Sequence, residues 1–407
     1  MNKIGKQKIL KQLNRKTILN LLRDSDELSV SEIAEIINLS KPTIMKIMNY
    51  YIEKGFIIIK GKGSSTEEGG KKPNIFKFNA NGGYSIGMSI TANKLRSAIT
   101  NLKGEILNSL DVDINYNEDL DSILDKIINS YYGLLDKTKV DSEKVIGLAV
   151  GIYGLTDYDK GIVFYSPHYP SWGKNIKMQE KIKKRIPGNV LVIIDNLPRF
   201  QVFAEMTLGA ARNSRNVVSI FAGYGLGSGI IYENDISRGA HKIMGEVGHM
   251  IINPSEEQEC ACGARGCFEV MVSMDRLRKV IELNKERFPE SVLLSICDNG
   301  NIQNLDPEEI FNAYRNKDTL AVEALNEIIG WFAVGLSNII LIYDPELIVL
   351  HGIYTKAGDG FLEKLGKKTG KVALKNVKKE TKIKFSELGS KASVLGAATY
   401  VINRFFS

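Results

Sequence analysis

Apolar side chains fall at helical intervals in two short stretches near the start of the chain, residues 18–23 and 33–37, with Ser29 and Ser31 both placed to cap the second. After the tight link Ile37-Asn38-Leu39-Ser40, a third stretch runs from Lys41 to Gly55, where Pro42 suits the first turn of a helix and Gly55 its end. Ile44, Ile47, Met48 and Tyr51 share one face of that helix, which leaves Lys41, Thr43, Lys46, Asn49 and Tyr50 looking outward. Helix, tight turn, helix is the pattern of a helix-turn-helix, and the outward residues of its second helix are those that would enter a groove of DNA. Two β-rich runs follow, Phe56-Ile57-Ile58-Ile59-Lys60 and Asn74-Ile75-Phe76-Lys77-Phe78. The long polar tip between them makes the hairpin a wing, with Lys71 and Lys72 at its base suited to a minor groove.

Beyond Tyr84 the pattern changes to strands alternating with helices. Residues 85–90 and 95–100 flank a turn, a third strand follows Gly104-Glu105, residues 123–135 have the spacing of an amphipathic helix, and residues 145–150 read as a buried strand. The alternation restarts at 217–221, passes through a glycine run at 223–229 and includes 347–352. Two such α/β lobes in one chain imply a cleft between them.

Length and composition, 407 residues with 43% hydrophobic and 25% charged, fit two or three globular domains. No apolar run reaches the roughly 18 to 20 residues of a membrane span, so no membrane partner is expected. No N-terminal stretch joins a basic start to an apolar core and a small-residue cleavage site, and a cytoplasmic location is expected. The placement of charge changes the picture more. The first 80 residues hold 15 basic and eight acidic side chains, a surplus of seven that equals the net charge of the whole chain. A basic module on a neutral body is the electrostatic footprint of nucleic-acid binding, because phosphate neutralisation supplies most non-specific affinity.

Three of the four cysteines, Cys260, Cys262 and Cys267, stand in a C-x-C-x4-C run, and His249 lies just upstream. Three thiolates and one imidazole make the donor set of a closed, structural tetrahedral Zn²⁺ site. Reduced thiols in a cytosolic setting argue against a disulfide framework. Glu246 and Glu269 bracket the ligands and would be carried into a fixed geometry with them. Cys297, among apolar neighbours, reads as core.

At these residues the chain resembles the ROK family, which groups sugar-responsive repressors with sugar kinases. The resemblance is carried by Gly245-Glu246-Val247-Gly248-His249, by the cysteines together with Gly266-Cys267-Phe268-Glu269, by the glycine run, and by Ser166-Pro167-His168-Tyr169-Pro170-Ser171-Trp172. The N-terminal module makes it similar to the family's repressors, xylose repressors above all. The resemblance implies an α/β fold class: a winged helix-turn-helix followed by a two-lobed actin-like and hexokinase-like (ribonuclease H-like) body. The implied domains are 1–80 for DNA, 81–205 with a returning C-terminal helix 391–407 for the first lobe, and 206–390 for the second lobe, with the zinc site and a dimerisation surface.

The same resemblance implies that kinase chemistry has been lost and that no catalytic residue remains. Family kinases open their body with an Asp-x-Gly-Gly-Thr phosphate turn, where this chain has Ser89-Ile90-Thr91-Ala92-Asn93-Lys94. Their catalytic Glu-Asn-Asp-Ala-Asn matches Asp195-Asn196-Leu197-Pro198-Arg199 when aligned on Glu205, which sets Leu197 where the base stands. The paired glycines near the adenosine site match His351-Gly352. The positions that grip sugar hydroxyls match Asn196, Glu246, His249 and Glu269, all present, with His249 expected to serve both metal and sugar. Arg199 could instead tie up a carboxylate in an internal ion pair, and His168 stands where the family carries an amide. The implied partners are operator DNA, a monosaccharide effector (xylose, glucose or a related sugar), structural zinc, and further copies of the chain in a homodimer or tetramer. Two rival readings are an ATP-dependent sugar kinase that also binds DNA, with Asp195 as an unconventional base, and a protein-docking regulator with no sugar ligand.

Overall fold

Helix α1 (Lys3–Asp24) brings Ile18, Leu19 and Leu22 onto the face that starts the first core. The computed structural model describes residues 3–25, 27–62, 72–297, 301–372 and 381–406. A two-residue strand, β1 (Leu28–Ser29), leads directly into α2 (Val30–Ile37). Of the two serines that could cap α2, Ser29 does so: its Oγ accepts from Glu32 N at 3.3 Å while its own N–H donates to the Glu32 carboxylate at 2.6 Å, a reciprocal capping box. Asn38, in left-handed geometry, ends α2. Helix α3 (Lys41–Glu53) follows with Pro42 in its first turn, and Gly55 takes the positive φ that releases the chain into β2 (Ile57–Lys62). With β3 (Asn74–Phe78) the strands form a sheet in the order β1-β3-β2. Lys71 and most of the wing's tip lie outside the described residues.

The chain divides into two compact units, Met1–Asp195 with Ala397–Ser407, and Asn196–Gly396. In the first, β4 (Tyr84–Ile90), β5 (Lys94–Asn101), β6 (Ile106–Asp113), α4 (Leu120–Thr138), β7 (Val145–Ile152), β8 (Leu155–Asp157), β9 (Ile162–Tyr165), α5 (Met178–Lys183) and β10 (Leu191–Asn196) follow the winged module. Five of these strands form one sheet in the order β10-β7-β4-β5-β6, with β4 parallel to β7 and antiparallel to β5. Helix α4 covers it, burying Ile123, Leu124, Ile127, Tyr131 and Leu134. The core of the winged module does not stop at its last strand: Leu102 and Ile402 belong to it, and the Phe56 ring meets Phe405 and Phe406 edge-on at 5.7 and 5.1 Å.

The second unit opens with α6 (Leu197–Thr207), then β11 (Val217–Ala222), β12 (Leu226–Tyr232) and β13 (Asp235–Ile236). After an irregular arm come α7 (Phe268–Met271), α8 (Met274–Asn284), α9 (Val292–Ile296), α10 (Pro307–Arg315), α11 (Thr319–Tyr343), β14 (Leu347–Gly352), α12 (Asp359–Val372), β15 (Lys382–Phe385) and the start of α13 (Ala392–Phe405), which from Ala397 onward belongs to the first unit. The sheet order is β13-β12-β11-β14-β15, with β14 parallel to both β11 and β15. The glycine run serves packing of α6 on β12: a Cβ at Gly229 would collide with the Pro198 carbonyl, and one at Gly227 would lie 2.8 Å from the Pro198 ring. Helix α11 corrects the expectation about apolar length, since it is long and apolar enough to cross a membrane. Its Leu325, Ile328, Phe332, Leu336 and Ile339 are buried in this unit's core, as expected of a central core helix. Cys297 closes α9 and is only partly buried against the same core.

Candidate metal centre and effector site

The arm between β13 and α7 folds back on itself through backbone bonds. Ile252 N donates to Gly266 O and Phe268 N to Met250 O, each at 2.8 Å, and a tight knuckle is closed by Cys260 N on Ala264 O at 2.7 Å and Gly263 N on Cys260 O at 2.8 Å. The result brings one ligand atom from each of His249, Cys260, Cys262 and Cys267 within 4.8 Å of one another. Cys262 and Cys267 sulfurs are 3.6 Å apart, and Cys260 sulfur is 3.6 Å from His249 Nδ1. A tetrahedral ion with bonds of about 2.3 Å to sulfur and 2.0 Å to nitrogen sets such separations at about 3.8 and 3.5 Å. The cluster can therefore hold a metal ion. Burial, then hydrogen bonds with the neighbouring sulfurs, push the Cys267 thiol up to about 12, whereas the Ala264 N–H pulls the exposed Cys262 down. Crowded thiolates of this kind call for a cation among them.

Glu269 sits in the first turn of α7, two residues after Cys267. Its Oε2 accepts from Leu226 N at 2.7 Å and its Oε1 is 3.8 Å from Cys260 sulfur. Glu246 is accessible to solvent, yet desolvation by the surrounding protein raises its carboxyl above the usual range; His249 and Arg199 oppose that rise and Glu269 adds to it. Glu246, His249, Glu269 and Arg199 thus share one electrostatic neighbourhood. Arg199 is nearly fully buried, and its Nη2 donates to the Lys242 carbonyl at 2.6 Å, so a carboxylate is not its only partner. Nothing in the sequence around Arg199 signals that carbonyl, 43 residues away. Asn196, buried, holds the N-cap position of α6, one turn before Arg199. In the first unit, the His168 ring has those of Tyr153 and Tyr116 as neighbours, their centroids 5.5 and 6.2 Å from its own.

The positions compared with kinases are equally well defined. The turn after β4 is closed by Thr91 N on Lys94 O at 2.9 Å and covered by Tyr169, whose hydroxyl donates to Thr91 O at 2.7 Å. Leu197 is buried. Asp195 is fully buried and accepts from Thr156 Oγ1 at 3.1 Å. His351 and Glu205 are buried 3.4 Å apart, and Glu205 also accepts from Ser386 Oγ and Ala210 N. Burial lowers His351 to about 4 and raises Glu205.

On α3, Lys41, Thr43, Lys46 and Asn49 are exposed as the spacing requires, and Lys72 is exposed at the wing's base. Tyr50 departs from the expectation: it is half-buried, because the Arg15 guanidinium from α1 lies 3.7 Å above its ring. Sequence reading missed Arg15, which lies outside the helix-turn-helix and 35 positions from its partner.

The chain thus joins a winged helix-turn-helix to an α/β body that bears a His/Cys3 cluster beside two carboxylates. Residues 11–58 match the winged helix-turn-helix DNA-binding model, and residues 85–404 match the ROK family model. The chain belongs to the ROK family. It is 26% identical over 404 residues to the xylose repressor of Caldicellulosiruptor bescii, covering 99% of each chain. Among solved structures, a ROK family transcriptional regulator homologous to the E. coli MLC protein superposes with a TM-score of 0.84 at 22% identity, covering 98% of this chain and 97% of that one. A ROK family glucokinase from Streptomyces griseus, in complex with glucose and AMPPNP, gives 0.66 at 25% identity and covers 78% of this chain and 99% of its own.

Proposed function

We propose that the chain is a sugar-responsive transcriptional repressor whose winged module, residues 1–80, binds operator DNA and whose body, residues 81–407, binds a monosaccharide that changes that affinity. The observation that carries this reading is the pairing, in one chain, of an open polar row on α3 with a His/Cys3 cluster beside Glu246 and Glu269, while the buried Leu197 matches, by resemblance, the position of a kinase's base. Lys41, Thr43, Lys46, Asn49, Lys71 and Lys72 contact the DNA. Asn196, Glu246, His249 and Glu269 bind the sugar: carboxylates accept hydroxyl protons, an amide both donates and accepts, and the set reads a polyol by hydrogen-bond direction. Xylose is the first candidate, after the relatives' names, and glucose the next.

Zn²⁺ suits the three thiolates and one imidazole, and when bound it would fix the arm that carries Glu246 and Glu269. Nδ1 of His249 faces the sulfurs, which leaves Nε2 as the nitrogen that can meet a sugar hydroxyl. The protein is not a kinase in this reading, because an aliphatic Leu197 cannot supply the roughly 10²- to 10⁴-fold of a general base. Asp195, engaged by Thr156 and buried, is a poor substitute. A cytoplasmic homodimer would set two recognition helices against paired half-sites.

The test is fluorescence anisotropy of the protein on DNA from upstream of its own gene, with pentoses and hexoses at fixed salt. A coupling of about 1 to 3 kcal/mol shifts operator affinity roughly 5- to 150-fold with the right sugar. Equal affinity with every sugar would remove the effector assignment, and ATP-dependent sugar phosphorylation abolished by Asp195→Asn would favour the kinase.

A further inference from the structure

Arg15 belongs to α1, outside the helix-turn-helix, yet its guanidinium carbon lies 3.7 Å from the centroid of the Tyr50 ring on α3. Tyr50, itself half-buried, stands one turn after Lys46 and next to Asn49, both of them exposed. The Arg15 side chain is half-buried, and its Nε is shut off from solvent with no hydrogen-bond partner among the described residues. The ion pairs of the described winged module, Arg23 with Asp24 and Lys60 with Glu27, do not involve it. A guanidinium held in one place with no carboxylate partner among the described residues has lost rotamer freedom without that gain. Stacking on an aromatic face recovers part of that cost and fixes the plane of the fork. With Nε turned inward, the Nη end is the part left to meet a partner, and beside a DNA-reading helix the group that fits a fixed guanidinium is a phosphodiester oxygen.

We infer that Arg15 is a contact to the DNA backbone phosphate and that Tyr50 is a positioning residue that holds it there, not a reader of bases. This rests on the reading of residues 1–80 as an operator-binding module. A phosphate contact acts on every sequence alike and carries a salt signature, whereas a stack that merely glues α1 to α3 would change stability and leave the salt dependence alone.

Arg15→Gln separates the two, because its amide can still lie on the ring while the charge is gone. Operator binding and binding to unrelated DNA of equal length would be followed by anisotropy over a range of salt, beside a thermal melt, with Arg15→Lys, Tyr50→Phe, Tyr50→Ala and Lys46→Ala in parallel. The expected result is that Arg15→Gln lowers the slope of log K against log salt by about 0.9 on both DNAs and leaves their ratio unchanged. Arg15→Lys should keep the slope, Tyr50→Phe should behave as the parent, and Tyr50→Ala should weaken binding to both DNAs. A folded Arg15→Gln protein with the parental slope overturns the inference; should that variant not fold, loss of affinity on both DNAs in folded Tyr50→Ala, with Tyr50→Phe unchanged, decides in its favour, and parental affinity in Tyr50→Ala decides against it. If the parent binds operator and Lys46→Ala weakens it while Arg15→Gln keeps the slope, this assignment alone fails; if the parent binds no DNA, the operator-binding reading fails with it.

Discussion

Cys262 is the one ligand of the four that is exposed, so serine can replace it with little damage to packing. Cys262→Ser is expected to lower metal content, measured by atomic absorption, and to weaken the sugar response of operator binding, because the arm holding Glu246 and Glu269 loses an anchor if the cluster holds a metal as proposed. An unaltered response in metal-free protein would break that link. The ligand set was legible in the sequence because its members are close along the chain and chemically rare. Residues whose partners are remote were not: the Lys242 carbonyl that receives Arg199 and the Tyr50 ring under Arg15 leave no local trace. His351 and Glu205 make a second such pair, with opposite pH signatures. His351, lowered to about 4, stays neutral in the fold while the unfolded chain binds a proton below about 6.5, so its share of stability is lost as pH falls from there towards 4. Glu205, raised, holds a proton that the unfolded chain releases, so its share is lost as pH rises above the ordinary carboxylate range. Glu205→Gln removes one of the two opposing slopes. The variant should therefore lose stability on acidification more steeply than the parent, by up to about 1.4 kcal/mol per pH unit just above the ordinary carboxylate range, in denaturant titrations.

At the level of elements, the pattern of apolar positions located α2, α3 and the wing strands, and the structure then decided between Ser29 and Ser31 as the cap. Ser29→Ala should cost about 1 kcal/mol, seen as a lower urea midpoint for loss of operator binding, whereas Ser31→Ala should leave the midpoint in place. Strand β1 escaped notice because two residues cannot display a period, even though Leu28 and Ser29 pair with Phe76 and Ile75. Helix α11 escaped the search for apolar stretches because acidic residues, Glu323 and Glu327, break its first turns. Charge counting over long windows had a blind spot too. Residues 81–407 average to no net charge, yet 364–384 contain nine lysines and a single glutamate. Lys382 and Lys384 occupy the exposed positions of β15, an edge strand, where ammonium groups deter pairing with another chain.

For the molecule as a whole, composition and packing draw different lines. The charge surplus ends near residue 80, but the core of the winged module continues into Leu102 on the sheet side and Ile402 on the last helix. Helix α13 starts in one unit, where Gly396 lies against the Phe200 backbone of α6, and most of it belongs to the other. Charge is read residue by residue, whereas a shared core depends on segments that the sequence separates by some 300 positions, from Leu102 to Ile402. This is the physical reason that the fold class was legible and the joint between head and body was not.

That joint gives the tail of the chain a practical meaning for anyone handling the protein. Phe405 and Phe406 brace Phe56, the residue through which α3 passes into the wing. Replacing both rings, as in Phe405→Ala with Phe406→Ala, should blunt operator binding while leaving the metal content of the cysteine cluster intact. Parent and doubly substituted protein, assayed side by side for DNA affinity and metal, would reveal it, and equal DNA affinity in both would show that the rings are dispensable.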